Sequence, residues 1–149
     1  MALRWTSALA VGVRGIDEQH EELFRRYEAL EDAILRRDRT EATRLLVFLK
    51  TYVREHFQSE EALMRLVAYP DTARHHDEHE AFAEQIERLD LARALFGNTA
   101  ELVVKLERDV GGWLRDHIYG SDVALARFVQ ERRYTPRMTS AEAEDAPAA

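Results

Sequence analysis

Histidines and carboxylates recur in this sequence at positions where a helical protein normally places aliphatic side chains. Residues three and four apart share one face of a helix, and His56 and Glu60 interrupt such a face of leucines and valines. His75 and His79 form a second pair with the same spacing. Imidazole and carboxylate groups stacked in this way can converge on one metal ion. The first chemistry that the sequence suggests is therefore metal binding.

Two further apolar stripes carry the same anomaly. His20 lies between Ile16 and Leu23 in one of them, and His117 follows Val110 in the other. Five of the six histidines thus lie on inward faces. Burying these polar groups without partners would cost several kcal/mol or more. Metal ions remove this cost, because they bind neutral imidazole and ionised carboxylate together.

The same spacing assigns two neighbouring residues to solvent. His76 shares its face with Glu80 and other acidic residues, so we expect it to be exposed. Glu61 lies on the same face as Arg54, which makes Glu60 the inward carboxylate.

A second carboxylate, Asp122, follows His117 at a spacing that does not suit a regular helix. Residues five apart are separated by about 140° around an α-helix. The two side chains can converge only if the helix breaks between them, and Gly120 is placed to break it. Gly111 and Gly112, just upstream, are also unusual residues for a helix interior.

The number of candidate ligands indicates more than one metal. The chain has no cysteine, so a metal must be held by histidine and carboxylate. Five imidazoles and two carboxylates exceed the roughly four ligands of a single zinc ion. Two metals that share both carboxylates and a solvent-derived oxygen as bridges fit better. Three histidines then complete one metal, while two leave the other with an open position for a small ligand.

The elements that must position these residues are helices. Three- and four-residue periodicity dominates, and no convincing strand pattern occurs. We predict an all-α, antiparallel up-down-up-down four-helix bundle with an N-terminal arm and a short C-terminal helix. Asp17 is the expected first N-cap, and Asn98 or Thr99 starts the fourth helix. The expected helices span residues 17–37, 40–67, 71–95, 98–119 and 121–132.

Composition sets the remaining expectations. We assign residues 1–133 of the 149 to one domain, with 1–15 as its arm and 134–149 as a disordered acidic tail. The net charge of −7 argues against a nucleic-acid partner. No apolar run approaches the roughly 20 residues needed to cross a bilayer. The start of the chain is a poor export signal, so we expect a cytoplasmic protein, and we expect a monomer.

At this level of detail the sequence is similar to the hemerythrin family, specifically its single-domain bacterial members. The matching segments span residues 5–129, nearly the whole predicted bundle. They are Trp5, Val11-Gly12-Val13, Ile16-Asp17-Glu18-Gln19-His20, His56-Phe57 with Glu60-Glu61 and Leu63-Met64, Tyr69-Pro70, His75 with His79, and Trp113-Leu114 with His117-Ile118 and Asp122.

The resemblance implies two non-haem iron ions (Fe2+/Fe3+) with an oxo or hydroxo bridge, and O2 as the ligand. It implies that one iron is saturated and the other open. By this carry-over the saturated iron is bound by His75, His79 and His117, the open iron by His20 and His56, and both by Glu60 and Asp122. An apolar wall around bound O2 would come from Trp113, Leu114 and Ile118, with Phe57 as a further candidate, although ordinary core packing explains these residues equally well.

Several functions remain open at this point. The leading hypothesis is a binding protein for O2 storage, transport or delivery, without chemical turnover. The alternatives are a sensor of O2, redox state or iron, and a di-iron oxidase, peroxidase or nitric-oxide-handling protein. An oxygen-consuming enzyme or a signalling protein is the expected kind of partner. Ferritin-like oxygenases use Glu-x-x-His pairs, and the lack of an inward pair here favours reversible binding.

Overall fold

Five helices account for most of the chain in a computed structural model, which describes residues 3–134. A short 3-10 turn, Ser7–Leu9, lies in the N-terminal arm. The helices are α1 (Arg14–Leu35), α2 (Arg39–Leu66), α3 (Thr72–Phe96), α4 (Ala100–Trp113) and α5 (Val123–Tyr134), with a π-helical segment, Leu114–Asp122, between the last two. The described residues contain no strand, and the predicted all-α bundle is confirmed.

The four long helices pack as neighbours around one core. α1 contacts α2 and α4, and α3 contacts the same two helices. Short connections join α1 to α2 and α3 to α4, as expected for antiparallel neighbours. Asp38 and Thr99 cap α2 and α4, since their side chains accept the backbone N–H groups of Glu41 and Leu102.

The first helix begins earlier than predicted. α1 starts at Arg14, and Asp17 lies inside its first turn instead of capping it. The Asp17 carboxylate accepts the backbone N–H groups of Val11 at 2.7 Å and Gly12 at 3.2 Å. This residue therefore fastens the arm to the helix, and Gly12 has the positive φ of 86° that the bend requires.

The predicted break at Gly120 is wrong. The chain stays helical from α4 into α5, and the intervening segment is wound as a π-helix. Hydrogen bonds in a π-helix join residues five apart, so residues at this spacing lie above one another. A change of helical pitch, not a break, aligns His117 with Asp122.

Gly111 has a packing reason in the structure. A Cβ atom at this position would lie 2.6 Å from the hydroxyl oxygen of Tyr27 on α1, whereas a Cβ at Gly112 would meet nothing. The glycine lets α1 and α4 approach closely. The Tyr27 hydroxyl donates to Glu107 at 3.2 Å in the same place.

The predicted tail at 134–149 lies outside the described residues, except that Tyr134 still belongs to α5. None of the helices within residues 3–134 is long and apolar enough to span a bilayer.

Candidate metal centre

A polar layer crosses the bundle between two apolar clusters. The larger cluster, which includes Leu23, Phe82 and Leu114, fills the body of the bundle. The smaller one, which includes Ile16 and Leu125, closes the end where α5 packs. Between them lie seven buried polar residues, none more than 4% exposed: His20, His56, Glu60, His75, His79, His117 and Asp122.

These seven residues form two groups that share their carboxylates. One group contains His75, His79 and His117, and the other contains His20 and His56; Glu60 and Asp122 belong to both. Within each group, one ligand atom per residue lies within 4.8 Å of all the others. We call the two groups the three-histidine side and the two-histidine side.

Asp122 is central to this geometry. Its Oδ1 lies 3.0 Å from Nε2 of His75 and 3.1 Å from Nε2 of His117 on the three-histidine side. Its Oδ2 lies 3.2 Å from Nε2 of His20 on the other side. Each oxygen therefore faces a different group, as a bridging carboxylate requires.

Glu60 has a corresponding position. Its Oε1 is 3.2 Å from Nε2 of His75, and its Oε2 is 2.9 Å from Nε2 of His56. On the two-histidine side, Nε2 of His20 and Nε2 of His56 approach to 2.9 Å. Two ligands held at right angles by a metal at about 2.1 Å lie about 3.0 Å apart. The observed separations match those of atoms that share a metal.

The unsatisfied hydrogen-bonding groups support the same fit. Both oxygens of Glu60, both oxygens of Asp122 and the Nε2 atoms of His75, His79 and His117 have no hydrogen-bond partner among the described residues. Buried polar atoms without partners are rare and costly in native proteins. Because these atoms converge without the geometry of hydrogen bonds, the residues fit metal ions placed between them.

Charge in the metal-free protein is arranged accordingly. Burial alone would raise the pKa of Glu60, but contacts with Asp122 and the surrounding histidines outweigh it, and the pKa lies well below the usual range. Burial likewise opposes charge on His20 and His75, but the two carboxylates raise their pKa values to about 10 and about 9. Burial lowers the pKa of His79 to about 3. Burial and the charge of Glu60 oppose ionisation of Asp122, but the nearby histidines outweigh them, and its pKa is lowered as well. The lowered carboxylate pKa values and the raised pKa values of His20 and His75 favour paired opposite charges.

The outer hydrogen bonds differ between the two sides. Nδ1 of His56 donates to the amide oxygen of Gln19 at 2.9 Å. Nδ1 of His117 donates to the carboxylate of Glu78 at 2.7 Å, and the Ser121 hydroxyl donates to the same oxygen at 2.6 Å. Metal-bound histidines commonly donate their second ring nitrogen in this way.

Sequence reasoning did not single out these outer partners, although a signal was present. Gln19 directly precedes His20, and Glu78 directly precedes His79. A residue next to an inward histidine lies at the side of the stripe, where it can reach the adjacent helix, as Gln19 and Glu78 do. Polar residues immediately before ligand-type histidines would have been the positions to examine.

His76 is exposed as predicted, with half of its side chain accessible. Glu61 is more buried than predicted: only 14% of its side chain is exposed. Its carboxylate pairs with His76 and lies 3.7 Å from Nδ1 of His79. The cause is that α3 covers this part of α2, which the pattern of α2 alone does not show.

Aromatic rings cover the three-histidine side. Phe57 stacks on His79 with ring centroids 3.9 Å apart, and Trp113 stacks on His117 at 4.8 Å. Phe82 stacks in turn on Trp113. A surface cleft of about 420 Å³ lies outside this stack and is bordered by Trp113, Glu78 and His117.

The fold and this site define a class: a helical bundle with a buried, histidine-rich site for metal ions. Residues 11–128 match the family model described as the hemerythrin HHE cation binding domain. This chain belongs to the hemerythrin family. Membership implies non-haem iron binding and a role connected with O2.

Individual relatives agree with this assignment. The chain is 31% identical to a bacteriohemerythrin of Stenotrophomonas maltophilia. The 128 matched residues cover 86% of this chain and 82% of that protein. It is 32% identical to a bacteriohemerythrin of Methylococcus capsulatus, over 78% of this chain and 88% of that protein. A hemerythrin-like protein of Naegleria gruberi is 30% identical, over 80% and 87%.

Proposed function

We propose that this protein binds O2 reversibly at a non-haem di-iron centre, for oxygen storage, transport or delivery. The observation that carries the proposal is the pair of ligand groups with three and two histidines that share Glu60 and Asp122. Both carboxylates would be shared equally by the two metals, but the histidines are divided three to two. One metal would therefore have fewer protein ligands than the other. That metal, on the two-histidine side, has room for a small ligand.

The iron pair would supply electrons to O2 when it binds and recover them on release. The protein residues hold the pair in place and exclude water. The two apolar clusters on either side of the polar layer support this exclusion. Leu114 and Ile118, both buried, are our candidates for the wall of the O2 pocket. For Phe57 and Trp113, the stacking on His79 and His117 favours a packing role.

An oxidase or sensor is the competing function, and the ligand composition argues against an oxidase. The site combines five histidines with two carboxylates, whereas ferritin-like oxygenases combine about four glutamates with two histidines. Fewer negative ligands stabilise highly oxidised iron less well. This difference favours reversible binding over O–O cleavage.

The test is iron content together with the visible spectrum of the protein, first reduced without air, then exposed to air, then purged. We expect both metal positions to be filled with iron, and a charge-transfer band that appears with O2 and fades on purging. Immediate conversion to a stable oxidised form with release of hydrogen peroxide would instead indicate an oxidase or redox sensor. Zinc or no metal would refute the di-iron proposal.

A further inference from the structure

We propose that Glu78 is the positioning residue for His117: it sets the orientation of the ring and adds negative charge behind the metal on the three-histidine side. The inference rests on the proposed function only in taking the seven buried residues as iron ligands. It concerns a side chain outside both ligand groups.

The first step is the hydrogen bond itself. A carboxylate oxygen can only accept, so Nδ1 of His117 carries the hydrogen in its 2.7 Å contact with Glu78. The lone pair of this imidazole is then on Nε2, which faces Asp122 at 3.1 Å. Glu78 thus selects the tautomer that can bind a metal.

The second step is how Glu78 is itself held. The hydroxyl of Ser121 donates to the same carboxylate oxygen at 2.6 Å. Ser121 lies in the π-helical segment together with His117, and Glu78 lies on α3. The contact therefore links the two elements that supply the three-histidine side. A displacement of Glu78 would release both the ring and this link.

The third step is the difference in charge between the two sides. Behind the three-histidine side, Nδ1 of His117 donates to the carboxylate of Glu78 at 2.7 Å. The carboxylate of Glu61 lies 3.7 Å from Nδ1 of His79, which is too far for a hydrogen bond but adds a second negative charge nearby. Behind the two-histidine side, His56 donates to the neutral amide of Gln19, and Nδ1 of His20 has no partner within the described chain. Anionic partners make a ligand more basic and stabilise Fe(III) over Fe(II). The three-histidine iron is thereby the more easily oxidised of the two.

The experiment compares three variants in the full-length protein. Glu78→Ala removes both the hydrogen bond and the charge. Glu78→Gln keeps an acceptor oxygen of the same size and removes only the charge. Asp116→Asn removes one charge from the same cleft, where Asp116 is exposed and is not a partner of His117 in any hydrogen bond or ion pair described.

The first readout is Co(II) affinity of the metal-free protein, followed by its absorption spectrum. We expect Glu78→Ala to weaken Co(II) binding about 10- to 100-fold, Glu78→Gln to weaken it less, and Asp116→Asn to leave it unchanged. Equal affinity of Glu78→Ala and the parent protein would overturn the proposal, as would an equal loss in Asp116→Asn. Thermal unfolding of the metal-free variants shows whether a loss of Co(II) affinity results from a less stable fold. Glu78→Gln is the decisive variant, because it preserves the size of the side chain and therefore disturbs the fold less.

The second readout is a redox titration of the iron-loaded protein. We expect Glu78→Gln to raise the midpoint potential of one iron couple and to leave the other in place. A tenfold loss of preference for Fe(III) corresponds to 59 mV for one electron. An unchanged pair of potentials would refute the charge effect. Because the Co(II) measurement needs no O2, Glu78 can be confirmed even if reversible O2 binding fails, and the reverse also holds.

Discussion

The two sides of the metal centre share their carboxylates but differ in the groups that contact their histidines. The three-histidine side draws its ligands from α3 and the π-helical segment, is covered by stacked aromatic rings and has carboxylates behind two of its histidines. The two-histidine side draws them from α1 and α2 and has one amide behind one histidine. A nearly symmetric ligand core can therefore hold two metals with different properties.

This difference indicates how a helical bundle could give two neighbouring metals different roles. Ring stacking and the hydrogen bond from His117 to Glu78 hold the three-histidine side in one geometry, which would suit a metal that changes only its oxidation state. Fewer ligands leave the two-histidine side able to accept an additional group. Changes confined to one side are the way to test this division.

Loss of one shared carboxylate should affect both sides of the metal centre equally. Glu60 contacts histidines of both sides, so Glu60→Ala should abolish binding at both metal positions. Iron analysis of the purified variant measures this. Glu55→Gln, an exposed change on the same helix, is the matched control and should retain all the iron. Retention of one iron by Glu60→Ala would show that Asp122 alone suffices for one side.

Removal of one histidine from each side should have unequal effects. His20→Ala leaves a single histidine on its side, and we expect loss of that metal and of the O2-dependent visible band. His79→Ala leaves two histidines and both carboxylates, so we expect weaker binding without complete loss. His76→Ala, at an exposed position, should change neither iron content nor spectrum. Equal losses in the first two variants would contradict the assigned asymmetry.

Metal loading should release protons from both sides. His20 and His75, one on each side, have pKa values raised to about 10 and about 9 in the metal-free protein. These raised pKa values favour the protonated imidazole at neutral pH, whereas a metal requires the neutral form. Protons therefore compete less as the pH rises, and Zn(II) affinity should increase from pH 6 to pH 9. Calorimetric titration in buffers of different ionisation enthalpy measures the released protons; heat independent of the buffer would refute the expectation.

The smallest effects concern the contact of α4 with α1, the helix that carries His20. Gly111→Ala would place a Cβ 2.6 Å from the Tyr27 hydroxyl, and we expect destabilisation by about 1–3 kcal/mol. Gly112→Ala meets no atom and should stabilise the helix by about 0.5–1 kcal/mol. Denaturant unfolding of both variants gives the two values. Equal changes in unfolding free energy for the two variants would show that the contact between α1 and α4 does not require glycine at position 111.

Much of the fold could be predicted because the periodicity of apolar residues is strong. The helices expected over 40–67 and 71–95 match α2 and α3 to within one residue at each end. The start of α1 was misplaced, since Asp17 has the residue type of an N-cap but serves the arm that folds over it. Local preference cannot distinguish these roles, because both satisfy backbone N–H groups.

The inward set of histidines followed from the sequence for a physical reason: helical spacing alone determines which residues share a face. The spacing of His117 and Asp122 is incompatible with a regular α-helix, and the segment that contains both residues is not α-helical in the structure. The π-helical solution was not predicted. π-helical turns are rare and occur frequently at functional sites, so local sequence preferences give little indication of where one will form.

Apolar periodicity and residue spacing are sufficient to predict the class of fold, the composition of the buried ligand set and the register of each ligand on its helix. The family resemblance implied the division into three and two histidines, whereas the partners behind those histidines depend on the tertiary structure. Gln19 meets His56 across two helices, and Glu78 meets His117 in the same manner. Such contacts join residues about forty positions apart, and their geometry follows from how whole helices pack, which no local pattern encodes.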